Sequence, residues 1–199
     1  MIEIYRGEQG TDEWRQMRAG IPTASEFATV LAKGRGGGES KTRRTYLLKL
    51  AGERLTGEPA ESYSNGHMER GKAMEAEARD AYAFMRDAEY EQVGFIRNGN
   101  AGCSPDGLIG DDGMVEIKTK LPHLQLEVLL ANELPAEHIA QCQGALWIAE
   151  REWLDFVSYW PRLNLFVTRV VRDEAYIARL KIEVADFNEE LDTIVRRFA

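Results

Sequence analysis

The chain has 199 residues, of which 44% are hydrophobic, and 33 acidic against 25 basic side chains give it a formal net charge of -8. This length predicts one domain, residues 1–199, with one substantial core. No apolar run approaches the roughly 20 residues of a membrane span, and the N-terminus lacks the pattern of a signal peptide, so we expect a cytosolic protein with no membrane partner. The net charge argues against attraction of nucleic acid to the whole surface, but "AKGRGGGESKTRR" can form a local basic patch.

The first third of the chain predicts helices separated by glycine. The segment "GTDEWRQMRAG" is typical of a short helix with Thr11 or Asp12 as its N-cap and a glycine as its stop signal. In "PTASEFATVLAK", Thr23 and Glu26 have the spacing of a capping box at the start of a second helix. The glycine-rich loop "GRGGGES" then leads to a helix near residues 41–56.

The middle of the chain predicts a long helix over residues 66–87, followed by short strands. One face of this helix is apolar and is formed by Met74, Ala78, Ala81, Tyr82 and Met85. The strands lie in "EYEQVGFI", in the run ending at Cys103, in "DGLIG" and in "MVEIKTK", with glycine and Asp-Gly turns between them.

Helical spacing returns in "PAEHIAQCQGALWIAE", before the aromatic-rich strands "EWLDFVSYW" and "NLFVTRVV" and a C-terminal helix from about residue 173 to 197. This order of elements predicts an α/β or α+β fold.

The stretch "SPDGLIGDDGMVEIK" places acidic residues and a lysine on one predicted hairpin. Residues two apart on a strand point to the same face, so Glu116 and Lys118 project together while Ile117 turns toward the core. The Asp-Gly turn would bring Asp106 opposite Glu116. Two partly buried carboxylates repel each other, and a divalent cation removes that cost. Oxygen ligands, completed by the Ile117 carbonyl, favour Mg²⁺, with Mn²⁺ as a possible substitute.

Such a site suits phosphoryl chemistry. A metal polarises a phosphate oxygen and lowers the pKa of a bound water, and Lys118 is placed to orient or deprotonate that water. The motif alone leaves another interpretation open, in which Asp106 begins a turn and Glu116 pairs with Lys118 on a solvent-facing strand.

Cysteine and histidine predict no competing site. Cys103 and Cys142 lack metal-ligand spacing and are expected to be reduced core residues. His67, His123 and His138 fit neither a zinc site nor a catalytic triad, and we interpret them as structural.

The hairpin resembles the signature of the PD-(D/E)xK nucleases, and the whole chain resembles the phage lambda exonuclease, or YqaJ-type alkaline exonuclease, branch of that superfamily. The resemblance rests on five blocks in the family's order: "DEWRQMRAGIPTASEF", "GKAMEAEAR", "SPDGLIGDDGMVEIK", "HIAQCQGALW" and "RDEAYIA". It implies a restriction-endonuclease-like core, in which helices flank a central mixed sheet. It also favours a metal site over a solvent-facing pair.

The resemblance implies active-site roles for Asp106, Glu116, Lys118, Glu75 and Gln141. Glu75 would join Asp106, Glu116 and the Ile117 carbonyl around the metal, and Gln141 would hold the nucleophilic water or a nearby phosphate. Taken alone, Glu75 is an ordinary i,i+4 partner of Arg79. A buried Gln141 that binds a loop is the corresponding alternative for the glutamine.

The block "MRAGIPTASEF" resembles the family's pocket for a terminal 5′ phosphate, with Arg18 and Ser25 as its ligands. A helix N-terminus and an arginine both suit phosphate, which supports this interpretation. Taken alone, Arg18 is an ordinary surface residue and Ser25 an ordinary helix-start residue. Arg35 and Met68 match positions where the family inserts side chains into the duplex end, although Met68 would also fit a core. Ahead of "SPDG" the family's pattern can carry another acidic residue, which "IRNGNAG" lacks.

The resemblance implies a Mg²⁺-dependent exodeoxyribonuclease that digests one strand of linear double-stranded DNA from its 5′ end. It would release 5′ mononucleotides and leave a 3′ overhang, as a homotrimer with a single-strand annealing recombinase as partner, in a bacterial or phage-infected cell. A PD-(D/E)xK endonuclease and a non-catalytic DNA-end binding module are the alternatives. The terminal phosphate pocket disfavours the first, and the complete D…E-x-K set disfavours the second.

Overall fold

The computed structural model describes residues 1–60 and 66–199, with the backbone alone described for residues 66–70, 72 and 73. The strands are β1 Ile2–Tyr5, β2 Phe95–Asn98, β3 Ala101–Cys103, β4 Gly107–Ile109, β5 Gly113–Thr119, β6 Trp153–Tyr159 and β7 Phe166–Val171. The α-helices are α1 Asp12–Arg18, α2 Phe27–Val30, α3 Lys41–Thr56, α4 Gly66–Arg86, α5 Pro122–Ala131, α6 Ala136–Ala149 and α7 Glu174–Phe198. Two 3₁₀ turns lie at Ala24–Glu26 and Arg35–Gly37. Within these described ranges no helix is long and apolar enough to cross a membrane.

The strands form two sheets. Strands β1, β2 and β3 form an antiparallel sheet in that order, and β4, β5, β6 and β7 form a mixed sheet. In the mixed sheet β5 and β6 run parallel, and the two outer pairs are antiparallel. A parallel pair needs a long crossover, which α5 and α6 provide. The predicted α/β class with a mixed sheet flanked by helices is confirmed. Strand β1 and the second sheet were not predicted from the sequence.

Helices cover both faces of the mixed sheet. Along β5, Val115 and Ile117 pack with Tyr82 of α4. Met114 lies instead in the larger core that α6 and α7 help to form. Because side chains alternate along a strand, Glu116 lies on the α6 side of the sheet with Met114.

An ionic network centred on the buried Asp155 attaches α4 to this sheet. Tyr82 donates its hydroxyl to Asp155 Oδ2 at 2.8 Å, and Arg169 donates two bonds to the same carboxylate at 2.8 and 3.0 Å. Burial alone would raise the pKa of Asp155, but the bonds from Arg169 and Tyr82 outweigh it and lower the pKa. The network links α4, β6 and β7 and so fixes the helix that carries Glu75.

The close approach of Phe27 to α6 requires a glycine at position 144. A Cβ on Gly144 would lie 2.4 Å from the ring of Phe27, which is fully buried. This contact holds the 3₁₀ turn with Ser25 beside the helix that carries Gln141.

Most predicted elements are confirmed. Thr11 caps α1 by accepting a hydrogen bond from the backbone N–H of Trp14. The helix at residues 41–56 matches α3, and α4, α6 and α7 agree with their predicted spans to within a few residues. The apolar face of α4 is buried at Tyr82, but Met85 is 54% exposed, so its predicted burial is wrong.

The predicted capping box is also wrong. Thr23 makes no capping hydrogen bond, and its hydroxyl lies 3.2 Å from that of Ser25. Glu26 accepts a bond from Thr29 instead. The segment forms a 3₁₀ turn and the single helical turn α2 rather than one long helix.

Helix α5 was missed because its apolar residues do not share one face. Gln125 is fully buried, whereas Leu124 and Leu126 on either side of it are exposed. Without a helical period in hydrophobicity, the sequence gives no strong helix signal.

Candidate active site

The β4–β5 hairpin brings Asp106 to the middle of β5. Strand β4 pairs only as far as Gly107 with Val115, and β5 continues beyond it. The N–H of Asp106 donates to the Val115 carbonyl at 3.1 Å, and the N–H of Ile117 donates to Asp106 Oδ2 at 2.5 Å. The Asp106 carboxylate therefore takes the place of the missing strand partner at Ile117.

The same geometry directs the Ile117 carbonyl toward Asp106. In a strand, the N–H and C=O of one residue point to the same side of the chain. Since the Ile117 N–H points to Asp106, its carbonyl oxygen faces the same open edge of the sheet. The Ile117 carbonyl therefore lies at the edge of the sheet that lines the cavity, and its role as a metal ligand stays a prediction.

Glu116, Lys118 and Gln141 meet on the α6 side of β5. Glu116 Oε1 accepts a bond from Gln141 Nε2 at 2.5 Å and pairs with Lys118 Nζ at 2.7 Å. Burial alone would lower the pKa of Lys118, but the Glu116 carboxylate outweighs it and raises that pKa above its ordinary value. Lys118 is therefore an ammonium here, held in that form by the Glu116 carboxylate. Of the two interpretations of Gln141, the structure has it bonded to Glu116 rather than to a loop.

Negative charge accumulates at this edge. Burial, together with Glu116 and Glu75, raises the pKa of Asp106 well above its ordinary range, against the opposing effects of the Ile117 N–H and Lys118. Glu75 itself pairs with Arg79, whose Nη2 donates to Glu75 Oε1 at 2.6 Å. The i,i+4 pair is formed, and Glu75 still lies close enough to influence Asp106.

The hydrogen bonds of the described residues reach one oxygen of each of these three carboxylates: Asp106 Oδ2, Glu116 Oε1 and Glu75 Oε1. This donor set fits a hard cation, because each carboxylate keeps its second oxygen as a ligand and the Ile117 carbonyl adds another. In the part of the chain that is described, no three His, Cys, Asp or Glu side chains already have the geometry of a metal site. The acidic residues would therefore have to close around an ion.

Predicted catalytic and phosphate-binding residues line one cavity of about 210 Å³. Those in its wall are Arg18, Ser25, Glu75, Asp106, Glu116, Ile117, Lys118 and Gln141. The wall also contains Gln9, Trp14 and Ser104, which the sequence analysis did not single out.

Arg18 is held in this wall without a counter-ion. Its guanidinium lies 4.2 Å from the ring centroid of Trp14, and its Nη1 donates to Ser104 Oγ at 2.8 Å. The Trp14 indole N–H also donates to Ser104 Oγ, at 3.1 Å. Burial lowers the pKa of Arg18 from its ordinary value, and no carboxylate of the described residues forms an ion pair with it. A fixed, unpaired guanidinium is suited to a phosphate.

Ser25 lies in the 3₁₀ turn and is exposed to solvent. The predicted helix N-terminus behind it is wrong, because the turn is three residues long and α2 adds only four. Any phosphate affinity here comes from the side chains of Arg18, Ser25 and Ser104, and not from a helix dipole. Ser104 could have been singled out from the sequence because it stands two residues before Asp106. Its contact with Arg18 could not, because the two residues are far apart along the chain.

The remaining predicted residues lie elsewhere. Arg35 is exposed in the second 3₁₀ turn and is not among the residues that line the cavity. The Met68 side chain lies outside the described residues. Cys103 and Cys142 are buried and form no disulfide, which confirms their assignment to the core. Burial, with help from Lys120 and Lys118, lowers the pKa of His138 to about 4.

Comparison with known proteins gave consistent matches. Residues 13–152 match the model of the YqaJ-like viral recombinase domain. LHK-Exo, an alkaline exonuclease from Laribacter hongkongensis, is 34% identical, with a TM-score of 0.84. Its complex with dAMP is 35% identical with a TM-score of 0.86, and the alignment covers 94% of this chain and 95% of that one.

A phage-related exonuclease from Haemophilus somnus 129PT shares the fold at 14% identity, with a TM-score of 0.67 and coverage of 93% of this chain and 99% of that one. The comparison with curated proteins gave no significant match.

Proposed function

The chain belongs to the family of YqaJ-like viral recombinase domains and alkaline exonucleases, and from that premise we propose that it digests one strand of linear double-stranded DNA in the 5′-to-3′ direction. It releases 5′ mononucleotides with the help of Mg²⁺ and leaves a 3′ single-stranded overhang for recombination by strand annealing. One observation carries this proposal. Glu75, Asp106 and Glu116, which we call the acidic cluster, line the same cavity as Lys118 and the unpaired Arg18.

Hydrolysis takes place in the half of the cavity that lies at the edge of β5. Asp106, Glu116 and the Ile117 carbonyl would hold the divalent cation, with Glu75 beside them. When bound, the cation supplies charge for the phosphate and lowers the pKa of its water. The Lys118 ammonium donates hydrogen bonds to the phosphate or to the water. Gln141 binds Glu116 through its N–H group, which leaves its carbonyl oxygen to orient the water.

The other half of the cavity binds the DNA end. Arg18, Ser25 and Ser104 bind the terminal 5′ phosphate, and a guanidinium without a carboxylate partner supplies the attraction. LHK-Exo was crystallised with dAMP, a nucleoside monophosphate, which supports a mononucleotide product for this chain as well.

We extend the proposal to assembly and partners. A homotrimer around the DNA would turn basic residues inward and so let a chain of net charge -8 hold a polyanion. Arg35 and Met68 are proposed to part the last base pairs. The overhang would be handed to a single-strand annealing recombinase in the cytoplasm.

Substrate topology and end chemistry test this function. The wild-type protein is incubated with linear duplexes that carry 5′-phosphate or 5′-hydroxyl ends and with closed circular duplex, each with and without Mg²⁺. We expect Mg²⁺-dependent loss of the linear duplexes, faster for phosphorylated ends, and an intact circle. Cutting of the circle would identify an endonuclease, and binding without cutting would identify a DNA-end binding module.

A further inference from the structure

Arg79 is a buried cation next to the acidic cluster. Its residue exposure is 8%, and it lies one helical turn after Glu75 on α4. A guanidinium keeps its charge at all physiological pH values, so burying it costs free energy that a counter-charge or hydrogen bonds must offset. Among the described residues, the hydrogen-bond acceptor of Arg79 is Glu75.

One nitrogen of the Arg79 guanidinium has no hydrogen-bond partner. Its Nε is the one buried side-chain nitrogen or oxygen of the described residues that lacks a hydrogen-bond partner. An unmet buried donor costs free energy, and an arginine turned toward solvent would avoid that cost. Arg79 therefore keeps its Nη2 bond to Glu75 at the cost of leaving its own Nε without a partner.

Packing places Arg79 beside the chain segment that carries Asp106. Its guanidinium lies 5.9 Å from the ring centroid of Tyr90. Tyr90 in turn packs on Gly107, where an added Cβ would lie 3.2 Å from the Tyr90 ring. Gly107 follows Asp106 directly. Arg79, Tyr90 and the chain that carries Asp106 thus form one packed unit.

We propose that Arg79 is a positioning residue for the acidic cluster. It binds one oxygen of Glu75 and thereby directs the other toward the cation that Asp106 and Glu116 share. Lys118 plays the same part for Glu116, and the Ile117 N–H plays it for Asp106. This inference rests on the proposed function in one respect only, which is that the cluster binds a divalent cation.

Binding of Mn²⁺ in the absence of DNA tests this role. Mn²⁺ is titrated into the full-length protein, and free Mn²⁺ is followed by electron paramagnetic resonance. The variants are Arg79→Lys, which keeps the charge but loses the planar fork, Arg79→Met, Glu75→Gln and the Arg79→Lys/Glu75→Gln double variant. Arg86→Lys is the matched control, because Arg86 is an exposed arginine on the same helix.

We expect Arg79→Lys to raise the Kd for Mn²⁺ at least about tenfold, as loss of a partner behind a metal ligand commonly does. Arg79→Met is expected to raise it further, and Arg86→Lys to leave it unchanged. In the Glu75→Gln background, Arg79→Lys should add little, because the residue that Arg79 orients is already altered. If Arg79→Met does not fold, the lysine variant and the double variant carry the test.

Two results would overturn the inference while the proposed function stands. One is a wild-type Kd for Mn²⁺ in Arg79→Lys. The other is a Kd increase of the same factor for Arg79→Lys in both backgrounds, which would mean that Arg79 acts independently of Glu75. Failure of the wild-type protein itself to bind Mn²⁺ would instead remove the metal from the proposed function, and the role of Arg79 with it.

Discussion

Asp106 accepts a hydrogen bond from the backbone N–H of Ile117 at 2.5 Å. A carboxylate thus completes the edge of β5 where β4 has ended, and it lies close enough to Glu116, the residue before Ile117, to feel its charge. The Asp106 side chain satisfies a backbone N–H at the edge of the strand. It does so at an electrostatic cost, because it is a buried carboxyl group near other carboxylates. The chain keeps a buried acid in a position where its pKa rises.

Asp106 predicts how the effect of Mg²⁺ on stability depends on pH. Since its folded-state pKa is raised, its contribution to stability is complete below the unfolded-state pKa and is lost as pH rises through the folded-state pKa. A cation bound to the deprotonated cluster compensates that loss. We expect the increase in Tm on adding Mg²⁺ to grow with pH, measured by thermal denaturation at fixed ionic strength. An increase in Tm on adding Mg²⁺ that is the same at every pH would contradict this prediction. An increase in Asp106→Asn equal to that in the wild-type protein would contradict it as well.

Lys118 predicts a separation of binding from cutting. Lys118→Ala removes the ammonium that pairs with Glu116, but it leaves Arg18, Ser25 and Ser104 unchanged. We expect hydrolysis to fall by about 10²-fold or more, the usual contribution of a positioned proton donor or acceptor. Affinity for a phosphorylated duplex end, measured by fluorescence anisotropy in Ca²⁺, should remain. Retained hydrolysis would remove Lys118 from the mechanism.

Arg18 predicts the preference for phosphorylated ends. In Arg18→Ala, the ratio of digestion rates for 5′-phosphate and 5′-hydroxyl duplexes should fall toward one, because the unpaired guanidinium is gone. Loss of a charge-assisted bond of about 1.5–3 kcal/mol corresponds to roughly a 10- to 150-fold change. Arg15→Ala is the control, since Arg15 lies on the same helix and pairs with Asp12. An unchanged ratio in Arg18→Ala would place the phosphate elsewhere.

Asp155 predicts a stability effect away from the cavity. Asp155→Asn keeps the shape of the side chain but weakens its bonds with Arg169 and Tyr82, so we expect unfolding free energy to fall by about 1–3 kcal/mol. Arg169 is half exposed and stays solvated, which limits the loss. Urea denaturation measures the change. Tyr82→Phe, which loses one bond, should cost about 1 kcal/mol. An Asp155→Asn variant as stable as wild type would show that the network does not hold α4.

The hairpin could be predicted from sequence because its information is local. Alternation along β5 and an Asp-Gly turn suffice to place Glu116 beside Lys118 and Asp106 across from them. The predicted i,i+4 pair of Glu75 and Arg79 is likewise a property of one helix.

The rest of the site depends on contacts between distant segments. Thr23 does not cap a helix because its N–H donates to the Tyr46 hydroxyl and its backbone bridges to Gly102. Tertiary bonds therefore override the capping pattern. Ser104 meets Arg18 only because α1 packs beside β2, which no spacing along the chain encodes.

The direction of digestion tests the central claim most directly. A blunt linear duplex is labelled at the 5′ ends in one sample and at the 3′ ends in another, and the first products are resolved during the initial few per cent of digestion in Mg²⁺. If digestion runs from 5′ to 3′, we expect the 5′ label to leave first, as a mononucleotide, while the 3′ label stays on long single strands. Early release of the 3′ label, or of internal fragments from either sample, would contradict it.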